Sequence, residues 1–344
     1  MSLQNKNNLI WADQLRVLAT VSVLLLHVSA PILYQYGKIS ITYWWIGNVF
    51  DSAVRFCVPV FLMLSGALIL PKYKELNDFI RKRFSRIFLP FLFWSIIYLA
   101  NNILTKWHEG NLMHGEELSN YLLIQFKKGT SYHLWYIYMI IGLYLFFPII
   151  SKWISNASRN EVVYFILIWF GILLMNLPFM KIYLPQIDFA YFSGYIGYPI
   201  LGYYLSQLPK KSLYRNISFA LFFIGILITI FATYAMTKRT GIYYPQYYNF
   251  LSPNVLISSI GVFLFIFNSN FQNINPIISS ISKYSYGIYL SHVFVLFYLS
   301  KSGINWTFVH PLIGIPFTTF LGLSFSLLIT IVLNKIPYGK YISG

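Results

Sequence analysis

Acidic residues are scarce in this sequence. Nine Asp and Glu stand against 25 Lys and Arg over 344 positions, and both signs together make up only 10%. Soluble domains carry about 25% charged residues, so this chain cannot cover a water-exposed surface, and a soluble globular protein is excluded. Cysteine is rarer still: its one occurrence, Cys57, lies inside an apolar run, which excludes an intrachain disulfide. Missing too are a glycine loop that cradles phosphate, a Gly-x-Ser-x-Gly turn, and histidines at helical ligand spacing beside a carboxylate cluster. No metal or resident cofactor is therefore expected. No internal repeat is visible, which weighs against a transporter built from inverted repeats.

What is present is apolar: 57% hydrophobic and 20% aromatic residues. A bilayer core needs roughly 20 apolar residues per helix. Such runs fall near 10–33, 47–70, 87–105, 132–152, 162–180, 187–207, 217–236, 250–268, 277–300 and 310–333. The predicted fold class is an all-α, polytopic integral membrane protein with about ten transmembrane helices, and residues 1–344 read as a single domain. The sixth run, rich in Gly, Pro and Tyr, is the weakest, and the short ninth has the look of a re-entrant segment. Arg16 and His27 inside the first run, with Pro31 following, argue against a cleaved signal peptide.

The net charge of +16 reflects retention of cytoplasmic loops rather than nucleic-acid binding. "PKYKELNDFIRKRFSRIFLP" carries Lys72, Lys74, Arg81, Lys82, Arg83 and Arg86, and further loops carry Lys152, Arg159, Lys210, Lys211 and Arg215. With Lys335 and Lys340 in the tail, all fall on one side if ten helices cross in turn, so both termini are expected in the cytoplasm. Segment 106–131 on the other side is mixed in charge. Lys238 and Arg239, also on that side, are the main departure from the pattern.

In "DQLRVLATVSVLLLHVSAP", Arg16 and His27 are eleven residues apart, which is 20° past three helical turns and about 16 Å of rise. They project from nearly the same face, the guanidinium at the cytoplasmic mouth and the imidazole deep in the membrane. Asp13, three residues before Arg16, can pair with it. Ionisable groups within spans usually face a cavity or a partner. Asp13 and His27 are the catalytic candidates. In "DSAVRFCVPVFLMLSG", Asp51 and Arg55 are four apart, fit either for a structural pair or for Arg55 to line a site, and Pro59 bends the helix. Arg83 and Arg86 share a helical face at a span entrance, where guanidinium forks suit phosphate oxygens. "SYHLWYIYMIIGLYLFFP" presents His133, Trp135, Tyr136 and Tyr138, an interfacial aromatic belt or a sugar platform. In "SYGIYLSHVFVL", Tyr289 and His292 share a face.

Together, Arg16 and His27, "RFCVPVFLMLSG", Arg83 and Arg86, "HLWYIYMIIGLYLFFPII" and "SYGIYLSH" resemble, in order and over nearly the whole chain, the acyltransferase 3 family of multi-span membrane proteins. The resemblance is greatest to short, stand-alone members that lack a C-terminal hydrolase-like domain. It implies transfer of an acyl group, most often acetyl, from cytoplasmic acyl-coenzyme A as co-substrate to a hydroxyl of a bacterial surface polysaccharide or its lipid-linked precursor. His27 would match the catalytic histidine, and Arg16, Arg83 and Arg86 would match positions linked to donor binding. Arg55, Trp135, Tyr138, Tyr289 and His292 are then candidates to line the site. The expected partners are acyl-coenzyme A, a glycan or lipid-linked sugar and membrane lipid, not nucleic acid, in the bacterial plasma membrane. The alternative is an exporter or flippase of a polysaccharide or lipid-linked sugar.

Overall fold

The computed structural model describes residues 10–72, 76–111, 113–175, 177, 180, 194–271 and 275–344. Its elements are helices joined by short turns, with no strand among the described residues. In chain order they are α1 (Ile10–Leu33), α2 (Ile41–Val54), α3 (Cys57–Ile69), α4 (Leu76–His108), α5 (Gly115–Lys128), α6 (Trp135–Asn156), α7 (Arg159–Met175), α8 (Gly197–Ser206), α9 (Ser212–Thr240), α10 (Pro253–Asn268), α11 (Pro276–Lys283), α12 (Ser285–Lys301) and α13 (Pro311–Lys335). Single 3-10 turns, Tyr132–Leu134 and Pro245–Tyr248, lead into α6 and α10.

The helix starts follow from side-chain chemistry. Before α7, Ser158 N–H donates to Glu161 Oε2 at 2.6 Å and Glu161 N–H donates to Ser158 Oγ at 3.3 Å, a reciprocal capping box. Asn275 caps α11 through its side-chain oxygen with Pro276 behind it, and Pro at the first helical position loses no needed donor. The α2–α3 interruption at Arg55 and Phe56 has a cause in Pro59. A proline has no N–H for the carbonyl four residues back, here Arg55.

Seven helices among the described residues are long and apolar enough to cross a membrane: Ile10–Leu33, Ile41–Ile69, Leu76–His108, Tyr132–Asn156, Ser212–Thr240, Pro245–Asn268 and Pro311–Lys335. Three of the ten expected spans differ. The run at 162–180 gives the 17-residue α7. Of the run at 187–207, residues 187–193 lie outside the described residues, as does Lys74, and the 10-residue α8 remains. The run at 277–300 is two helices, meeting at Tyr284. The basic stretch expected as a loop before the third span is instead helical from Leu76 on, the first turns of the 33-residue α4.

The outside of the bundle is apolar: Leu92 and Ile96 on α4, Phe223 and Phe231 on α9, and Phe320 and Leu328 on α13 are exposed. Inside, small hydroxyls are common. Ser259, Ser291, Thr319 and Thr330 are buried and donate to carbonyls four residues back on their own helices. Such residues let helices approach closely where lipid supplies no hydrophobic drive between them. At the α3–α8 crossing, a Cβ on Gly66 would lie 1.9 Å from the Pro199 carbonyl oxygen and one on Gly202 would lie 2.0 Å from that of Met63. The backbones touch there. Helix α1 is central, packed against α2, α3, α10, α11, α12 and α13.

Candidate functional site: a cationic cavity backed by three histidines

A half-open cavity of about 850 Å³ lies where the N-terminal ends of α1, α4 and α12 meet the C-terminal tail. Five cations line it: Arg16 from α1, Arg83 and Arg86 from α4, Lys283 at the end of α11, and Lys340 beyond α13. Among the described residues no Asp or Glu side chain lines it. Arg16 Nη1 donates to Asp13 Oδ1 at 2.8 Å and to Ser282 Oγ at 2.7 Å. The ion pairs among the described residues are Asp13–Arg16 and Asp51–Arg55, so the other four cavity cations have no carboxylate partner there. Arg83 lies 5.9 Å from the Tyr144 ring and 6.0 Å from that of Phe79, a fixed cation on an aromatic shelf. The arrangement has the charge to suit an anion, and its volume matches pockets that bury a small-molecule ligand.

Lys283 and Lys340 join it because of backbone features with no simple sequence signal. Lys283 ends α11 where the chain breaks before α12. Lys340 is brought back by a 3-10 turn, Gly339–Tyr341, which follows Tyr338 at a left-handed φ of 62°. The tail can lie against α12 because Gly287 has no side chain: a Cβ there would be 2.4 Å from the Ser343 carbonyl oxygen.

Tyr136 and Tyr289 line the deep end of the cavity, their rings 5.4 Å apart. On the far side of Tyr289 lies a cluster of three imidazoles. The His292 ring is 5.1 Å from His27 and 5.1 Å from His133, while Tyr289 is 5.7 Å from His292 and 5.6 Å from His133. His133 and His292 are buried. His27 is half-buried, with the exposed Tyr132 ring 5.3 Å away. Tyr289 donates to the His133 carbonyl, and Tyr98 donates to the Leu290 carbonyl at 2.8 Å. Val23, Leu26, Trp94, Leu134, Ile137 and Leu290 form one apolar packing with Tyr289. Among the described residues no group of three or more His, Cys, Asp or Glu is arranged to hold a metal ion.

The remaining candidates divide clearly. Asp13 belongs to the Arg16 end of α1, fourteen residues and about 21 Å of helix rise from His27. Arg55 pairs with the buried Asp51 and lies 4.4 Å over the Tyr248 ring. Trp135 stacks on Phe250 at 5.9 Å, and Phe250 is 5.9 Å from the Arg55 guanidinium. Tyr138 is exposed against Phe91, away from both the cavity lining and the histidines. Spacing and composition left His133 in either an aromatic belt or a sugar platform, and the structure gathers it with His27 and His292.

A family description, "Acyltransferase domain", matches residues 9–334 of the chain. The chain is similar to YfiQ of Bacillus subtilis (strain 168), provisionally named a membrane-bound acyltransferase, at 22% identity over 302 residues, covering 82% of this chain and 79% of that one. No solved structure matches.

Proposed function

The chain belongs to the acyltransferase 3 family, and from that premise we propose that it carries an acyl group, most often acetyl, from acyl-coenzyme A to a hydroxyl of a surface polysaccharide or its lipid-linked precursor. The observation that carries this reading is a cavity lined by five cations and by no Asp or Glu side chain, separated from His27, His133 and His292 by Tyr289. A polyphosphate such as the nucleotide end of coenzyme A would sit among Arg83, Arg86, Lys283 and Lys340, and the thin pantetheine arm would run past Arg16 towards Tyr289. The acceptor would approach His27 from the exposed Tyr132 side. His27 takes the proton from the acceptor hydroxyl as its oxygen bonds to the acyl carbon. The carbon–sulfur bond breaks, and the departing sulfur receives that proton. In this reading the cavity faces the cytoplasm of a bacterial cell, ten segments cross the plasma membrane, and both termini lie inside. A neutral-glycan exporter would have no use for five clustered cations, four of them without an Asp or Glu partner.

Radiolabelled acetyl-coenzyme A supplied to inside-out membrane vesicles tests both halves together. His27→Ala is expected to lose about 100- to 10,000-fold of the polymer-bound label, the usual contribution of a positioned base, with donor affinity by calorimetry unchanged. Arg83→Ala with Arg86→Ala is expected to weaken donor binding at least about tenfold, the loss of one or two charge-assisted bonds. Full transfer by the His27 variant removes that residue from the mechanism, and unchanged donor affinity in the arginine variant removes the cavity.

A further inference from the structure

His292 is not needed for the reaction as written, yet its surroundings are specific. Its ring is wholly buried on α12, and Nδ1 lies 2.6 Å from the Tyr289 carbonyl oxygen. A carbonyl oxygen can only accept, so Nδ1 carries the hydrogen, and in a singly protonated ring Nε2 then holds a lone pair. That Nε2 is buried and has no hydrogen-bond partner. Buried polar atoms without partners are uncommon and call for an explanation. The nearest titratable ring on α1 is His27, 5.1 Å away between ring centres and tilted by 35°.

We propose that His292 is a positioning residue for His27: with Nδ1–H committed to the Tyr289 carbonyl, Nε2 accepts a hydrogen bond from one nitrogen of His27 and turns the other nitrogen towards the acceptor hydroxyl. This rests on His27 being the base of the acyl transfer. A hydrogen bond of about 2.9 Å between two ring nitrogens spans about the observed separation once two ring radii are added. The rings are not aligned for it in this structure. A turn of the half-buried His27 side chain aligns them, as catalytic bonds commonly tighten only when substrate is bound. In the reaction His292 neither gains nor loses a proton overall. It holds the tautomer of His27 and shares the positive charge while that ring carries the acceptor's proton, the task a carboxylate performs in a serine-protease triad.

The other groups facing the pair are the phenols of Tyr132 from the turn before α6 and Tyr289 on α12, and His133, whose ring lies 5.1 Å from His292 with Nδ1 engaged by Ser131 Oγ at 2.9 Å and Nε2 buried without a partner; behind His133 lies the phenol of Tyr98 from α4. The charged groups in reach are Arg55 and its partner Asp51. A buried, neutral acceptor beside a base that must turn cationic is what an apolar interior permits.

Two measurements test the proposal. Nitrogen-15 NMR of histidine-labelled wild-type protein in bilayers, assigned by the signal lost in His292→Gln, reads the tautomer directly. A hydrogen on Nδ1 is expected; a hydrogen on Nε2 alone, or on both nitrogens, overturns it. Kinetics with labelled acetyl-coenzyme A in vesicles then separate positioning from structure. His292→Leu is expected to lower kcat about tenfold or more, part of what a positioned base supplies, with donor KM unchanged. His292→Gln, whose amide oxygen restores an acceptor, is expected to recover most of that loss. Wild-type transfer that His27→Ala abolishes and His292→Leu leaves intact overturns the role of His292 alone. Absence of acetyl transfer in the wild type overturns the acyl-coenzyme A reading, and this proposal with it.

Discussion

Asp51 is wholly buried and the Arg55 side chain nearly so, yet Asp51 Oδ1 and Arg55 Nε each lack a partner. Around them Ser52, Asn48 and Tyr248 are hydrogen-bonded to one another, so the pair sits in a polar pocket between α2 and the turn before α10. Removing one partner of a buried pair typically costs about 3–5 kcal/mol, because the survivor is left uncompensated, while replacing both with apolar side chains costs far less. Arg55→Met and Asp51→Leu should therefore each lower the unfolding temperature in detergent sharply, and the double variant should recover much of the loss. Simple addition of the two single losses would show that the residues do not act as a unit. Such individual residues were the most legible part of the chain. Helical period alone put Arg16 and His27 on one face and Arg83 and Arg86 on another, and both arginines and Arg16 do line one cavity. His133 and His292 were not assembled with His27 from the sequence, because their meeting depends on how α12 and the turn before α6 pack, which local spacing does not encode.

At the scale of elements, apolar run length found most helices, while their breaks and crossings had to come from the structure. Pro59 did announce an interruption in the second span, and its position at Arg55–Phe56 follows from the carbonyl that the proline leaves without a donor. Nothing comparable marks the α11–α12 break at Tyr284, which carries neither Gly nor Pro. Close crossings are equally hidden, since a glycine in a helix reads the same whether or not a neighbour touches it. Gly66 and Gly142 illustrate this. A Cβ on Gly66 meets the Pro199 backbone, whereas one on Gly142 meets nothing within 4 Å. Gly66→Val must therefore push α3 and α8 apart, at a cost of at least the roughly 1–3 kcal/mol of ordinary overpacking. Gly142→Ala is expected to be neutral or to stabilise by up to about 1 kcal/mol, the propensity gained by a helix. Thermal unfolding of both variants in one detergent decides it: equal effects would mean that the crossing has room to spare.

For the whole molecule, the direction of transfer depends on which side of the membrane each end of the bundle faces. The proposed orientation has the cavity end inside, on the ground that Lys72, Lys152, Lys210 and Lys335 lie on that side of an alternating path. Lys238 and Arg239, the last turn of α9 before Gly241, oppose that assignment. Their position also completes the helix dipole, which favours cations at a C-terminus, so they have a local reason to be there whichever side they face. The sequence offers a clean way to settle it. Cys57 is the sole cysteine and is fully buried, so the native chain should be silent to a membrane-impermeant maleimide. Gln207, between α8 and α9, and Ile242, between α9 and α10, are exposed at opposite ends of α9. In intact cells Ile242→Cys should label and Gln207→Cys should label only after permeabilisation. The reverse pattern would put the cationic cavity outside, where no cytoplasmic acyl-coenzyme A could reach Arg83 and Arg86. The donor reading would then be untenable however well the cavity suits a polyphosphate.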